Sequence, residues 1–378
     1  MKLFEPWDKP LRERLGMLRD GTHRIAYFAP KPDSGSFRYR CYNTTQAINA
    51  YGKETSASYF FLDDLDQIND LSAHADTLVV FRTPYDTHVD RVITKFQRAR
   101  KKVFFDVDDL IFDVKFAPLV TSNLNYRLTG KDIDQWFSFI ANIGACMKLC
   151  DHVITTNAFI ADRVAEYSGL PVSVIPNFVN QEQLETSEDI CARKSEPRQQ
   201  AGLRLGYFSG SHSHAKDFAV AQAGVAKFLS ESPESTLTIL GHLDLPSELS
   251  RFKGRVIRKP FMNFLELQWA MSEVDVNLVP LQLSPFTFSK SELKFFESAL
   301  VKTITVATPT PLFSAVIKSG ENGFLTPASG WSQTLDAVEQ LSALERAKIA
   351  TSAHADALDL YSPQLVEPRL SSLFLESK

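Results

Sequence analysis

Residues 289–297 read SKSELKFFE and lie between two apolar segments, 274–281 and 303–307, that are typical of buried strands. A short loop at 284–286 follows the first segment, and a helix from about 291 to 300 is predicted to lead into the second. A strand, a loop, a helix and a second strand in this order predict a parallel α/β sheet.

Three charged side chains of this stretch are predicted to share one helix face. Lys290, Lys294 and Glu297 are four and three residues apart, which is the spacing of neighbours on a helix. Backbone N–H groups and the positive end of the helix dipole attract an anion at a helix start, and lysines add point charge. A solvated face with a Lys–Glu pair is the alternative, but the apolar flanks at 295–296 and 299–301 leave little free surface. The set predicts a site for the phosphates and a sugar hydroxyl of a nucleotide-activated sugar.

Strands alternate with helices along the rest of the chain. Predicted strands lie at 24–28, 59–62, 77–81, 102–105, 152–155, 172–175, 203–208, 236–240, 255–257, 274–278 and 303–307. Predicted helices lie at 39–51, 86–100, 132–149, 159–168, 219–230, 264–271, 291–300, 332–343, 345–357 and 363–375. This alternation predicts parallel sheets covered on both faces, with ligands at the carboxyl ends of the strands.

A polar, charged segment at 181–202 interrupts the alternation and is predicted to be a linker. The chain has 378 residues, which agrees with two domains. The expected fold class is α/β, with two Rossmann-like domains facing each other across a cleft. We predict an N-terminal domain over 1–190, a C-terminal domain over 191–355, and a final helical segment, 356–378, that packs back on the N-terminal domain.

Composition and charge exclude several classes of function. Hydrophobic residues make up 44% of the chain, charged residues 23%, and the formal net charge is −4. A nucleic-acid-binding domain would normally be strongly basic, so broad nucleic-acid binding is not expected. The sequence contains no apolar run of the roughly 18 residues that a membrane-spanning helix needs, and the first twenty residues lack the apolar core of a signal peptide. The expected compartment is the cytoplasm, with contact to the inner face of the membrane left open.

No metal site is predicted. Cys146 and Cys150 would share a helix face, but zinc would need two further ligands, so buried free thiols are the better interpretation. His212 and His214 lie two residues apart without a third ligand at a suitable spacing.

A second phosphate-binding element is predicted where the strand 203–208 ends. Ser209, Gly210 and Ser211 follow this strand, and Lys216 comes shortly after them. Small residues there would let backbone amides approach a phosphate closely, and Lys216 would add charge. The spacing matches neither GxGxxG nor a P-loop, so neither a dinucleotide site nor an ATPase is indicated. An ordinary strand-to-helix turn is the alternative.

Charged residues also follow the predicted strands of the N-terminal half. Arg38 and Arg40 come after the first strand and could face the cleft, where they would touch a diphosphate or an acidic acceptor. Asp106, Asp108 and Asp109 end the strand at 102–105, where carboxylates suit hydroxyl binding or proton acceptance, although a helix cap is the alternative. Arg82 ends another strand and is a weaker candidate.

The chain resembles the family 4 glycosyltransferases of the GT-B fold, and more closely a bacterial surface-polysaccharide subgroup. The resemblance is densest from 203 to 330. It rests on the stretches GYFSGS at 206–211, AKDF at 215–218, ILG at 239–241, VDVNLVP at 274–280, Lys290-Ser291 with Lys294 and Glu297, GENGFL at 320–325, RYR at 38–40, FDVDDL at 105–110 and VIPN at 174–177.

This resemblance implies hexosyl transfer from a nucleotide donor without a catalytic metal or other cofactor. The C-terminal domain would hold the nucleotide and the N-terminal domain the acceptor. Glu297 would bind the ribose hydroxyls, and Lys216 and Lys294 would neutralise the leaving diphosphate. Lys259 and Phe261 lie where the family frames the base.

The chain departs from the family pattern at one position. Many relatives carry a further glutamate that would fall at Ser289, and Glu292 is not in register with it. The contact that this glutamate makes to the donor sugar is therefore in question.

Three readings of function remain at this stage. The first is a transferase that uses a glycan or lipid-linked saccharide acceptor to build a cell-surface polysaccharide. The second is a nucleotide-sugar 2-epimerase of the same architecture, which would need further acid and base groups. The third is a non-catalytic module that binds a nucleotide sugar or a glycan.

Overall fold

The computed structural model describes residues 5–19, 21–32, 35–124, 128–194, 202–210, 215–241, 243 and 245–376. The chain divides into two compact units. Unit 1 contains the residues up to Ser122 together with Leu128–Gln181 and Tyr361 onward, and unit 2 contains Glu182–Leu360 with the short segment that begins at Asn123. The chain thus changes unit after Gln181 and after Leu360, whereas the sequence pattern places these changes at 190 and 355.

Unit 1 is built on a parallel sheet that, within the described ranges, has six strands in the order β2-β1-β3-β4-β5-β6. The strands are β1 (His23–Ala29), β2 (Thr55–Phe61), β3 (Thr77–Phe81), β4 (Val103–Val107), β5 (His152–Thr155) and β6 (Val172–Val174). Every residue of β3 and β4 is buried, as expected for a parallel sheet with both faces covered.

Helices of unit 1 follow the strands and cover the sheet. They are α1 (Leu11–Gly16), α2 (Asn43–Tyr51), α3 (Thr87–Arg98), α4 (Ala117–Ser122), α5 (Gly130–Met147), α6 (Ala158–Ser168) and α16 (Pro363–Glu376). A π-helical turn, Arg38–Tyr42, leads into α2. Local signals set the helix starts, because Asp86 accepts hydrogen bonds from the N–H groups of His88 and Val89 at the start of α3.

Unit 2 repeats this architecture with the strand order β12-β11-β10-β7-β8-β9, again six described parallel strands. The strands are β7 (Arg204–Ser209), β8 (Thr236–Gly241), β9 (Val256–Lys259), β10 (Val276–Val279), β11 (Ile304–Ala307) and β12 (Phe324–Leu325). The chain moves outward from β7 to β9, returns to the other side of β7 and continues to β12, which is the order of dinucleotide-binding Rossmann sheets.

The helices of unit 2 pack on both faces of this sheet. They are α7 (Gln181–Arg193), α8 (Ala215–Glu231), α9 (Ser247–Ser250), α10 (Phe264–Ser272), α11 (Pro285–Phe288), α12 (Leu293–Leu300), α13 (Pro311–Val316), α14 (Trp331–Gln340) and α15 (Ala343–Tyr361). Trp331 and Phe218 belong to one apolar cluster of buried side chains between helices and sheet.

The linker prediction for 181–202 is wrong over its first part. Residues 181–193 form α7, and Ile190 packs in an apolar cluster with Phe208 and Met271. The buried side chains Gln183, Ser187 and Ile190 are four and three residues apart and form a single buried stripe on an otherwise polar helix. The polar composition hides this stripe because two of its three members are not apolar. Residues 195–201 lie outside the described part of the chain.

Candidate functional site

Unit 2 offers a ligand site where the strand order reverses. β7 and β10 are neighbours in the sheet, yet the chain leaves them in opposite directions, so their carboxyl ends open a crevice. Ser209 ends β7, and Val279 ends β10. The predicted donor-side residues of α8 and α12 follow these two strands along the chain.

The end of β7 is shaped by a close backbone approach. Gly241 has φ +90°, and a Cβ at this position would lie 2.1 Å from the carbonyl oxygen of Ser209. A side chain is therefore excluded at Gly241, which explains the ILG stretch. A Cβ built on Gly210 meets nothing within 4 Å, so there is open space directly after Ser209. Ser211, His212 and His214 lie outside the described residues.

Lys294 connects α12 to the end of β7. Its Nζ donates to the carbonyl oxygen of Phe208 at 3.1 Å and lies 5.3 Å from the Tyr207 ring centroid. Asn277 of β10 holds the helix in place, because its Nδ2 donates to the Lys294 carbonyl at 2.9 Å. The ammonium group is thereby directed toward the crevice between β7 and β10.

Two carboxylates compensate the charge of Lys294. Burial lowers the pKa of Lys294, while the negative charges of Asp217 and Glu297 act in the opposite direction. Asp217 is 3% exposed in the first turn of α8, and its Oδ1 accepts a hydrogen bond from the Gln282 N–H at 3.1 Å. Asp217 therefore ties the loop after β10 to α8 beside the lysine.

The other charged residues of the predicted donor group have different surroundings. Glu297 lies on α12 and is 5% exposed, so it faces the protein rather than bulk water. Lys290 and Ser291 are half-buried, and the Lys290 Nζ lies 4.2 Å from the Phe286 ring centroid. Lys216 is exposed in the first turn of α8.

The prediction that Lys290 shares a helix face with Lys294 and Glu297 is wrong. α12 begins at Leu293, and Lys290 lies in the turn between α11 and α12. Pro285 opens a separate short helix that ends at Phe288, so the chain must turn before α12 starts.

Position 289 could not accommodate the glutamate of the family pattern. Ser289 is completely buried, and its hydroxyl donates to the carbonyl oxygen of Phe286 at 2.7 Å. A longer, charged side chain would lose this bond and bury a carboxylate. Glu292 is 7% exposed at the start of α12.

The predicted base-framing residues lie at the opposite side of the sheet from α12. Lys259 ends the edge strand β9, and its Nζ forms an ion pair with Glu273 at 2.5 Å. Phe261 is 50% exposed. The structure therefore does not bring Lys259 to the Lys294 group, because β8 and β9 carry it away from the β7–β10 reversal.

Arg40 is a structural residue of unit 1, which corrects its predicted place in a diphosphate site. It is 1% exposed, and its Nε and Nη2 donate to the two carboxylate oxygens of Asp106 at 2.9 and 3.0 Å. Its Nη1 donates to the carbonyl oxygen of Ile175 at 2.7 Å. Burial raises the pKa of Asp106 to about 6, against the pull of Arg40. Both Arg40 and Asp106 are engaged with each other and closed off from ligands.

Arg38 is also buried, contrary to its predicted exposure to a ligand. It is 4% exposed, and its guanidinium lies 4.1 Å from the Tyr39 ring centroid. Both arginines belong to the π-helical turn before α2, which points them into unit 1. A surface loop was expected there because of the turn residues that precede it.

Asp108 and Asp109 meet Arg82 at the carboxyl ends of β3 and β4. The Arg82 Nη1 donates to Asp108 Oδ1 at 2.8 Å and lies 3.7 Å from Asp109 Oδ2. The same nitrogen donates to the Ser36 hydroxyl at 2.7 Å. The side chains of Asp108 and Asp109 are 10% and 21% exposed, so both keep some access to solvent.

Sequence reasoning missed part of this arrangement. Gln282 carries no charge and lies in a loop without a motif, so no pattern identified it. Arg82 was the weaker candidate because a lone arginine after a strand is common, and its left-handed backbone is invisible in the sequence.

The larger cavities of the described chain lie away from these residues. A cavity of about 570 Å³ opens at the amino ends of the unit 2 strands, next to Arg204, Asp275 and Ile304. A second cavity of about 500 Å³ lies beside α3 of unit 1, next to Leu71 and Lys95. Neither includes the carboxyl strand ends, where ligands of parallel sheets bind.

Metal-ligating clusters and spanning helices were also sought. The residues that the structure describes contain no group of three or more His, Cys, Asp or Glu side chains that could hold a metal ion. Cys146 and Cys150 are buried free thiols, and burial raises the pKa of Cys146 to about 12. Over the same residues, every helix is too short or too polar to cross a membrane.

Comparison with protein-family models gave no match, and a search of curated proteins gave none. Solved structures are similar in fold over most of the chain. Anabaena HepE in complex with UDP and glucose has a TM-score of 0.61 and 15% sequence identity, covering 94% of this chain and 100% of that chain. Sucrose-phosphate synthase from Thermosynechococcus elongatus has a TM-score of 0.63 and 13% identity, covering 94% and 99%. The pneumococcal O-GlcNAc transferase GtfA in complex with UDP and GlcNAc has a TM-score of 0.51 and 15% identity, covering 83% and 59%.

These similarities confirm the predicted fold class. The chain has two parallel six-stranded α/β units of the Rossmann-like type, which is the fold of the GT-B glycosyltransferases.

Proposed function

We propose that this protein is a family 4-like glycosyltransferase that moves a hexosyl group from a nucleoside diphosphate donor to a glycan or lipid-linked saccharide. The observation that carries the proposal is the position of Lys294 and Glu297 on α12, next to the carboxyl end of β7. The similar fold of HepE, which was solved with UDP and with UDP-glucose, supports a nucleotide sugar as the donor.

Unit 2 supplies the cations that the leaving group needs. When the bond between the anomeric carbon and the diphosphate oxygen breaks, negative charge builds on the diphosphate. Lys294, assisted by Lys216 and Lys290, stabilises this charge, and preorganised cations act most strongly in a partly buried site. Glu297 binds the ribose hydroxyls. The Asp217 carboxylate helps Lys294 to stay protonated before the donor arrives.

Unit 1 supplies the acceptor-side carboxylates. Asp108 and Asp109 bind the acceptor hydroxyl, and one of them takes its proton as the oxygen forms the new bond to the anomeric carbon. Because ammonium groups meet the charge of the diphosphate, we propose that the transfer is metal-independent. Ser209 and Gly210 border the open space after β7 and are proposed to contact the phosphates through their backbone.

We further propose that the enzyme acts in cell-surface polysaccharide synthesis in the cytoplasm, in contact with the inner face of the membrane. Helix α5 supports the membrane contact. Ile133 and Phe137 on its first turns are 38% and 37% exposed, and Phe139 is 36% exposed. Large apolar side chains exposed together are typical of interaction surfaces.

The donor site is tested by thermal-shift measurements with UDP, GDP, dTDP and CDP, followed by calorimetry with the best ligand. We expect one nucleotide to raise Tm, and Lys294→Ala and Glu297→Ala each to weaken its binding. The loss of one charge-assisted contact corresponds to about 1.5–3 kcal/mol, or roughly 10- to 150-fold in Kd.

The matched control is Lys227→Ala, an exposed lysine of α8 that is paired only with Glu231 in the same helix. Its Kd should equal that of the wild type. Unchanged affinity in a well-folded Lys294→Ala variant would exclude the role assigned to this lysine. Failure of every nucleotide to stabilise the wild type would remove the donor proposal itself.

A further inference from the structure

Arg82 adopts an unfavourable backbone conformation at the carboxyl end of β3. Its φ is +41°, a left-handed value that side chains with a Cβ rarely adopt. Among the described residues, only Arg100 and Lys302 are other non-glycine residues with positive φ. Such a conformation persists only where the surroundings hold it in place.

The side chain of Arg82 joins three neighbouring loops of unit 1. Its Nη1 donates to the hydroxyl of Ser36, which follows β1, at 2.7 Å, and to Asp108 Oδ1, which follows β4, at 2.8 Å. β3 lies between β1 and β4 in the sheet. The reversal of strand order in this sheet falls between β1 and β3, where ligands of such sheets bind.

Arg82 determines which oxygen of Asp108 is available. Oδ1 accepts the arginine hydrogen bond, whereas in the part of the chain that the structure describes Oδ2 accepts none. The Asp108 side chain keeps 10% exposure, so a ligand hydroxyl can reach it. The guanidinium therefore selects the rotamer that presents Oδ2.

We infer that Arg82 is a positioning residue for the transfer reaction, holding Asp108 so that Oδ2 faces the acceptor hydroxyl. This inference rests on the proposed glycosyltransferase function. A glycine at position 82 would adopt the backbone conformation without strain, so the contribution of the arginine lies in its side chain. The side chain is 23% exposed, and an ion pair of this kind contributes little to stability.

The test compares Arg82→Gly with the wild type in hydrolysis of UDP-glucose, GDP-mannose, dTDP-glucose and CDP-glucose, with water as the acceptor. We expect kcat for release of the nucleoside diphosphate to fall at least about tenfold in Arg82→Gly, because a misplaced proton acceptor is inefficient. KM for the donor and Tm should stay close to the wild-type values.

Rescue separates positioning from a structural role. Guanidinium ion at millimolar concentration should restore a large part of kcat in Arg82→Gly, because it can occupy the vacated space between Ser36 and Asp108. It should not restore Asp108→Asn. Arg100→Gly is the matched control, since Arg100 also has positive φ (+56°) but is exposed in the turn after α3. Its kcat should equal that of the wild type.

If Arg82→Gly does not fold, Arg82→Lys takes its place, with the same expected fall in kcat because an ammonium lacks the planar fork of donors. Turnover equal to the wild type in the tested variant would overturn the inference and leave the proposed function standing. A fall in kcat that follows a lower Tm and is not rescued by guanidinium would also overturn it. No hydrolysis of any donor by the wild type would instead overturn the proposed function, and this inference with it.

Discussion

Two positively charged side chains, Arg40 and Lys294, show how burial separates structural from functional residues. Arg40 is enclosed, and its donors are satisfied by Asp106 and a backbone carbonyl. Lys294 is partly buried, with one modest bond to a carbonyl oxygen and two carboxylates nearby. An incoming phosphate can compete for Lys294 but not for Arg40, because breaking the Arg40–Asp106 pair would leave a buried charge without a partner.

We predict that Arg40→Met destabilises unit 1 by about 3–5 kcal/mol, because it leaves the Asp106 carboxylate buried without its partner. Urea unfolding followed by circular dichroism measures this change.

The control for this prediction is Arg24→Met. Arg24 forms a similar two-bond pair with Asp76, but the two side chains are 34% and 25% exposed. Loss of such a pair should cost about 1 kcal/mol or less. Equal effects of the two variants would show that burial does not distinguish these ion pairs. Nucleotide affinity of the folded Arg40→Met protein should match the wild type.

Among the helices, α12 and α5 carry function in different ways. The carboxyl end of α12 is held by Lys194, whose Nζ donates to the carbonyls of Val301 and Lys302 at 2.9 and 2.7 Å. His354 hydrogen-bonds the Leu300 carbonyl at 2.9 Å. Basic groups at a helix carboxyl end are favourable, so α12 is fixed there while its first turn presents Lys294.

Helix α5 continues an apolar stripe beyond the region that unit 1 covers. Ile133 and Phe137 lie on the same helix face as Ile140 and Gly144, since these positions are separated by three or four residues. Ile140 and Gly144 are buried, whereas Ile133 and Phe137 are exposed. The amino-terminal half of α5 therefore presents apolar surface to a partner, which we propose to be the membrane that carries the acceptor.

We predict that the protein sediments with vesicles of phosphatidylcholine and phosphatidylglycerol, and that Ile133→Ser with Phe137→Ser greatly reduces this binding. Burial of each large apolar side chain contributes about 1.5–3 kcal/mol, so two losses lower the partition strongly. Leu344→Ser with Leu365→Ser is the control, because these leucines are 77% and 51% exposed on other helices. Equal binding of both double variants would show that α5 is not the contact surface.

For the molecule as a whole, the division into units does not follow the chain. The last helix, α16, belongs to unit 1 although it follows unit 2 in sequence. The Phe374 ring packs edge-on against Phe104 of β4 at 5.2 Å between centroids, and the Ser371 hydroxyl bonds Thr55 of β2 at 2.9 Å. Unit 1 therefore completes its core with the final residues of the chain.

We predict that a chain ending at Ser362 loses the cooperative unfolding of unit 1 and keeps that of unit 2. Val366, Leu370 and Phe374 are each at most 2% exposed, and their removal forfeits about 4–9 kcal/mol of apolar burial. This amount is comparable to the whole stability of a domain, about 5–15 kcal/mol. Calorimetry should show one remaining transition, and limited proteolysis should cut first within unit 1. Two unchanged transitions would contradict the prediction.

Much of the architecture could be read from local patterns. The strands at 77–81 and 152–155 were predicted with the same bounds as observed, because short apolar runs between turn residues have few alternatives. The functional weight of Lys294 and Glu297 also followed from the apolar surroundings of their helix. The α7 helix was missed, since its buried stripe contains Gln183 and Ser187 rather than apolar residues.

Periodicity and local turn chemistry thus established the two α/β units and the loops on which candidate residues lie, because these depend on neighbours along the chain. Partnership over long sequence distances was beyond that reach. Arg40 meets Asp106 across 66 positions, and Arg82 meets Ser36 across 46. Both arginines follow strands and look alike in sequence, yet packing closes one off and leaves the other at a sheet edge. Side-chain environment is set by contacts that only the folded chain creates, and it is this environment that assigns a charged residue to stability or to chemistry.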